Sequence, residues 1–102
     1  MSQPDKTGAP TTVTAEPDEY TIAVEGKKVG KAEFIDRGEK RVFTHTEVDK
    51  DYEGRGLATI LIAQALKETR DAGLRIVPVC SMVADYLKKH HEFDDVVDAP
   101  NR

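Results

Sequence analysis

The strongest constraint on this chain is a change of hydrophobic period across one short loop. Upstream, Arg41 to Val48 reads as a strand, with Val42, Phe43, Thr44, Thr46 and Val48 as its apolar and β-branched content. Downstream, Ala58, Leu61, Ile62, Ala65 and Leu66 recur at i, i+3, i+4, i+7 and i+8, one face of a helix. Leu57 and Ile60 widen that stripe, so the helix is expected to bury much of its surface. Between the two runs lies Asp49-Lys50-Asp51-Tyr52-Glu53-Gly54-Arg55-Gly56, charged and broken by two glycines. Gly73 is placed to end the helix as a C′ residue. Leu74 to Cys80 then returns to a short apolar run with β-branched Ile76, Val77 and Val79. Strand, helix and strand in succession make a βαβ unit, whose two strands should lie parallel.

The flanks extend this unit. Tyr20, Ile22 and Val24 alternate with Thr21 and Ala23, a period of two. Gly26 and Lys27 mark a turn, Val29 to Ile35 a second strand, and Asp36 to Glu39 a second turn. Links this short between three strands imply an antiparallel meander. After the βαβ unit, Ser81 is positioned to cap a last helix over Met82–His90, with Val83, Tyr86 and Leu87 on its inner face. The expected class is α+β, in the order βββαβα, with a mixed sheet and both helices packed on it. Residues 1–17, with Pro4, Gly8, Pro10 and Pro17, lack periodicity and are expected as a disordered tail; a docked extra strand is the alternative. The domain is expected over residues 18–98. The acidic stretch after Asp94 is expected to fray, and residues 99–102 to lie outside the domain.

Charge and composition remove several functions. At 102 residues there is room for one small domain. A net charge of −4 is wrong for general nucleic-acid binding, which needs clustered cations. The single cysteine forms no internal disulfide, in keeping with a reducing, cytoplasmic setting. No apolar run approaches the roughly 18–20 residues that span a bilayer, and no metal-ligand spacing is present.

The loop before the long helix is the best candidate site. A helix N-terminus offers unpaired N–H groups and the positive end of a dipole, a ready seat for a diphosphate. Gly54 and Gly56 let the backbone approach phosphates, Ala58 keeps the helix start uncrowded, and Thr59 offers a hydroxyl. A Gly-x-Gly pair alone also fits an ordinary turn. The Walker A pattern is absent, and so is the third glycine of a dinucleotide fingerprint.

Three segments in order and spacing turn this into a family resemblance. Glu53-Gly54-Arg55-Gly56-Leu57-Ala58 resembles the Gln/Arg-x-x-Gly-x-Gly/Ala motif of the GNAT N-acetyltransferase superfamily. His45-Thr46-Glu47-Val48 and Val77-Pro78-Val79-Cys80, together with the tail Ala84 to Phe93, are similar to a compact branch of that superfamily of about a hundred residues. The resemblance covers roughly Tyr20 to Val97. It implies acetyl-CoA as substrate, no metal, and an amine acceptor. It implies a diphosphate seat over Glu53, Gly54, Arg55, Gly56, Leu57, Ala58 and Thr59, and a pantetheine arm beside Val48 in a gap between two splayed strands. Glu53 departs from the motif's Gln or Arg, and a carboxylate there must point outward or pair with Lys50 or Arg55.

Four residues are candidates for the chemistry. His45 and Glu47 lie two apart on one strand and share a face, which suits a general base and equally an exposed polar face. Cys80 ends the neighbouring strand at a helix N-terminus, a setting for a nucleophile or acid, or for a small core residue. Tyr86 resembles the tyrosine that many GNAT enzymes place near the CoA sulfur as general acid, and otherwise reads as a core aromatic. The missing helices after the first strand imply an open acceptor groove, suited to a bulky amine such as a lysine on a protein surface. A CoA-binding or interaction module with little turnover is the competing reading.

Overall fold

The computed structural model describes residues 4–99. They form β1 (Thr11–Ala15), β2 (Glu19–Val24), β3 (Lys27–Arg37), β4 (Lys40–Val48), α1 (Leu57–Asp71), β5 (Arg75–Pro78) and α2 (Ser81–Lys89), with single 3-10 turns at Lys50–Tyr52 and Asp94–Val96. The strands make one five-stranded sheet in the order β1-β2-β3-β4-β5. The first four are antiparallel neighbours, and β4 and β5 run parallel. The expected βββαβα order is therefore present, preceded by one further strand.

That strand corrects the expectation of a tail over 1–17. Thr11 pairs with Val24 and Ala15 with Tyr20, Thr11 is buried, and Val13 packs against the core. Pro10 and Pro17, which lack an N–H to give a ladder, stand just outside the strand. Residues 1–3 lie outside the described residues. The other end is corrected as well. After the turn at Asp94–Val96, Val97 bridges Ile76 in parallel and the Asp98 N–H donates to the Ile76 carbonyl at 2.8 Å. Asp98 meets Arg75 at 2.7 Å and Lys40 at 3.4 Å. The segment thus covers the outer edge of β5; residues 100–102 lie outside the described residues.

The turns follow from their residues. Glu25 and Gly26 both take positive φ, the two-residue hairpin geometry that matches the twist of β2 and β3. At the end of α1, Gly73 is left-handed with φ +80°, and Leu74 N–H reaches back to the Thr69 carbonyl. Cys80, rather than Ser81, is the N-cap of α2, and no side chain caps that helix.

Both helices lie on one face of the sheet. Leu57, Leu61, Ile62, Ala65 and Leu66 of α1 join Val83 and Leu87 of α2 in one cluster with Tyr20, Ile22, Val24, Phe34, Phe43 and Ile76. Each fully buried Leu or Ile of this set contributes about 1.5–3 kcal/mol. Thr69, also buried, donates its hydroxyl to the Ala65 carbonyl at 2.8 Å. Where β3 meets β4 the register shifts: Phe34 pairs with Phe43 but Glu33 with His45, leaving Thr44 as an extra residue. The bulge sends Phe43, Thr46 and Val48 inward. His45 and Glu47 go to the opposite face, which bears no helix among the described residues.

Candidate active site

β5 pairs with β4 only from Lys40 to Phe43. The Cys80 N–H makes a last bond to the Phe43 carbonyl at 2.8 Å, and the chain then turns into α2. The outer edge of β4 from Thr44 to Val48 is left without a strand partner. The strands part because Pro78 cannot donate to a ladder and the chain enters a helix three residues later. Into this opening faces a cavity of about 490 Å³, lined by Thr46, Glu47 and Val48, by Tyr52, Glu53 and Gly54, by Gly56 to Thr59, and by Met82.

The loop side of the cavity is built from left-handed glycines. Gly54 has φ +81° and Gly56, the N-cap of α1, has φ +77°. Among the described residues nothing accepts from the N–H groups of residues 54–59, no side chain caps the helix, and its first turn holds no acidic residue. The amides are thus free to meet an anion. Glu53 is exposed and has no ion pair among the described residues, so it neither pairs with Lys50 nor with Arg55. Arg55 turns instead to Asp5, with Nε 2.8 Å from Oδ2, and its guanidinium lies 4.9 Å from the Tyr52 ring centre.

The four chemical candidates are not gathered in one place. Glu47 lines the cavity and is bonded to His45, with Nε2 to Oε1 at 2.8 Å. That bond, helped by Lys31, holds the Glu47 carboxyl below its usual range. An ionised Glu47 carboxylate can only accept, so in this bond His45 Nε2 is the donor. Both side chains are exposed, at 54 % and 56 %. Cys80 is buried and donates its thiol to Thr46 Oγ1 at 3.4 Å, beneath the cavity floor and on the face away from His45. Tyr86 lines an adjoining cavity of about 240 Å³ that shares Ala58, Thr59 and Met82 with the first. Its ring stacks on His90 at 4.1 Å. Burial, and then the charge of Glu92, raise the Tyr86 hydroxyl above its usual pKa and keep its proton in place at neutral pH.

Thr46, Tyr52 and Met82 line the main cavity and were not singled out from the sequence. Met82, an exposed apolar residue in the first turn of α2, is the one that a surface-patch argument could have found. A third cavity, of about 200 Å³, opens on the far side of β4 between Glu19, Lys28, Lys31 and Asp49. It shares Glu47 with the first. Among the described residues there is no cluster of side chains fit to hold a metal.

The site thus combines a glycine loop that feeds free helix amides with a strand whose parallel neighbour turns away. The profile of the GCN5-related N-acetyltransferases matches residues 19–96, and the chain belongs to that family. It is accordingly an acyltransferase that uses acetyl-CoA. The solution structure of a GCN5-like N-acetyltransferase candidate from Staphylococcus aureus shares the fold with a TM-score of 0.67 at 19 % identity, over 86 % of this chain and 88 % of that one. An aminoglycoside acetyltransferase from an uncultured soil metagenomic sample, solved with sisomicin, aligns with a TM-score of 0.49 at 19 % identity, over 72 % of this chain and 55 % of that one. No curated protein matches the sequence. No helix among the described residues is long and apolar enough to cross a membrane.

Proposed function

We propose that the chain moves the acetyl group of acetyl-CoA to an exposed amine on a bulky substrate, such as a lysine on a protein surface. The observation that carries this reading is the place of Glu47, the residue shared by the cofactor-side cavity and the cavity on the helix-free face. An amine arriving from that open face meets Glu47 before it meets the thioester. That cavity sets the carboxylates of Glu19, Glu47 and Asp49 against Lys28 and Lys31, an acidic excess of one charge that favours a cationic acceptor over an acidic one.

The free amides of residues 54–59 hold the diphosphate, and the unpaired edge of β4 at Glu47 and Val48 orients the pantetheine arm. When bound, acetyl-CoA supplies the activated carbonyl. The N–C bond forms as the C–S bond breaks; the amine proton passes to the His45–Glu47 pair and a proton from Tyr86 or solvent reaches the thiolate. The buried Cys80 thiol, bonded to Thr46, favours direct attack by the amine over transfer through cysteine.

The test has two parts. Acetyl-CoA should raise the melting temperature, by an amount that grows as the logarithm of one plus the ratio of its free concentration to Kd. Free CoA thiol should then appear with lysine peptides or polyamines, at the same rate in Cys80→Ser. Binding without thiol release from any amine would leave a CoA-binding module. Acetylated Cys80 on the intact chain would move the reaction to a covalent route.

A further inference from the structure

Asp5 is the only buried charged residue among the described ones, with its side chain fully inaccessible. A buried carboxylate persists only when its oxygens are bonded, and Asp5 shows how. Its Oδ1 accepts from the Thr7 N–H at 2.8 Å, the Thr7 hydroxyl at 2.6 Å and the Ala9 N–H at 3.0 Å. Its Oδ2 accepts from Arg55 Nε at 2.8 Å, across a sequence gap of 50 residues. The Lys6 N–H adds a bond to the Arg55 carbonyl at 3.0 Å. Residues 5–9 are thereby closed into a turn that grips both the main chain and the side chain of the residue between Gly54 and Gly56.

The turn has a consequence for Lys6. Its Cε, Cγ and Cδ lie 3.2, 3.3 and 3.6 Å from where a Gly56 Cβ would stand, so its stem fills the slot that the missing side chain leaves. Its ammonium has no ion pair among the described residues, whereas Arg55, the nearer cation in sequence, is neutralised by Asp5. The stem of an unpaired cation thus lies against Gly56, the N-cap of a helix whose first amides also lack partners.

We propose that residues 5–9 are a strap that completes the cofactor site: Lys6 is the cation that meets the CoA diphosphate, and Asp5 is the positioning residue that holds the strap on the loop. This rests on the reading of residues 54–59 as the diphosphate seat. In that arrangement Lys6 takes the part that the motif's Gln or Arg leaves open where this chain has Glu53. Pantetheine, which lacks phosphate, should be indifferent to the strap.

Calorimetric titration of the full chain with CoA and with pantetheine tests this. Lys6→Met keeps the stem over Gly56 and removes the charge. It should weaken CoA about 3- to 10-fold at low salt, with the difference shrinking as salt screens the contact. It should leave pantetheine binding and the melting temperature unchanged, and Lys6→Arg should restore CoA affinity. Asp5→Asn should weaken CoA to a similar degree. Adding Lys6→Met to it should cost nothing further, because a released strap no longer presents Lys6. Native CoA affinity in Lys6→Met would overturn the strap and leave the diphosphate seat standing. Independent, multiplying losses in the double variant would overturn the positioning role of Asp5. A native chain that fails to bind CoA at all would overturn the seat and the strap together.

Discussion

Gly30 couples the sheet to the reacting edge, and Gly30→Ala measures that coupling. The residue sits in β3 opposite Ile22 and Val48. An added Cβ would stand 3.0 Å from the Glu47 carbonyl oxygen and from Ile22 Cγ2, and 3.2 Å from Val48 Cγ2. Ordinary contact begins near 3.4 Å, so β4 must give way by about 0.4 Å at Glu47 and about 0.2 Å at Val48, two residues that line the cavity. Overpacking of this kind costs about 1–3 kcal/mol. Alanine in a strand regains roughly 0.5–1 kcal/mol relative to glycine. The midpoints of the two ranges leave a net loss of about 1 kcal/mol, which corresponds to a fall in Tm of roughly 4–8 °C for a domain of this size. Function should suffer separately. A misplacement of about 1 Å is worth roughly a hundredfold in rate, so this shift at Glu47 predicts about a 5- to 10-fold loss in kcat/KM, read by CoA-thiol release well below the melt. A variant that melts within about a degree of native would refute the close approach. One that is destabilised yet fully active would refute the link from Gly30 to the β4 edge.

Three further expectations concern other parts of the molecule. Gly54→Ala and Gly56→Ala both place a side chain at positive φ, and each should lose about 1–2 kcal/mol in chemical denaturation; both line the cavity, but only Gly56→Ala also meets Lys6, so it should weaken CoA binding the more. Arg41→Met keeps a stem over the Phe34 ring but removes the two bonds to Asp36 and the 2.7 Å bond to the buried Tyr20 hydroxyl; it should cost about 2–3 kcal/mol in urea titration, and Tyr20→Phe in the same chain should cost little more. Thr7, together with the Ala9 and Arg55 bonds, lowers the Asp5 pKa to about 2. Its stabilising effect is therefore complete above the unfolded value of about 3.9 and fades as pH falls towards about 2. Amide exchange at Thr7 and Ala9 should accelerate across that window while the core amides of α1 stay protected.

The parts of the fold that were legible in the sequence are those set by local periodicity. Tyr20, Ile22 and Val24 point inward as their alternation demands, and Leu61, Ile62, Ala65 and Leu66 bury the face that their spacing defines. The loop was legible because Gly54 and Gly56 stand between two unlike periods. What escaped was non-local. Thr11 to Ala15 has threonines on both faces and becomes a strand only because the edge of β2 is there to receive it. Asp98 looks like part of an acidic tail until Arg75 and Lys40 meet it. At the site, Val42 and Phe43 are both apolar, so the sequence does not reveal the bulge at Thr44 that decides the face of His45 and Glu47. Cys80 seemed poised for chemistry by its place at a helix start, but its partner Thr46 lies 34 residues away and holds the thiol under the floor. Asp5 has no local feature to betray a bond to Arg55.

The early parting of β4 from β5 leaves five residues of one strand with a fixed row of donors and acceptors on their outer side. Such a row recognises any linear molecule that carries amides at peptide-like intervals, as an added strand would. Recognition of that sort resides in the main chain and survives the exchange of the side chains that project from it. On the proposed reading, holding the carrier and choosing the recipient are therefore separable: His45 and Glu47 could be retuned toward new amines without loosening a main-chain grip on the arm that brings the acetyl group.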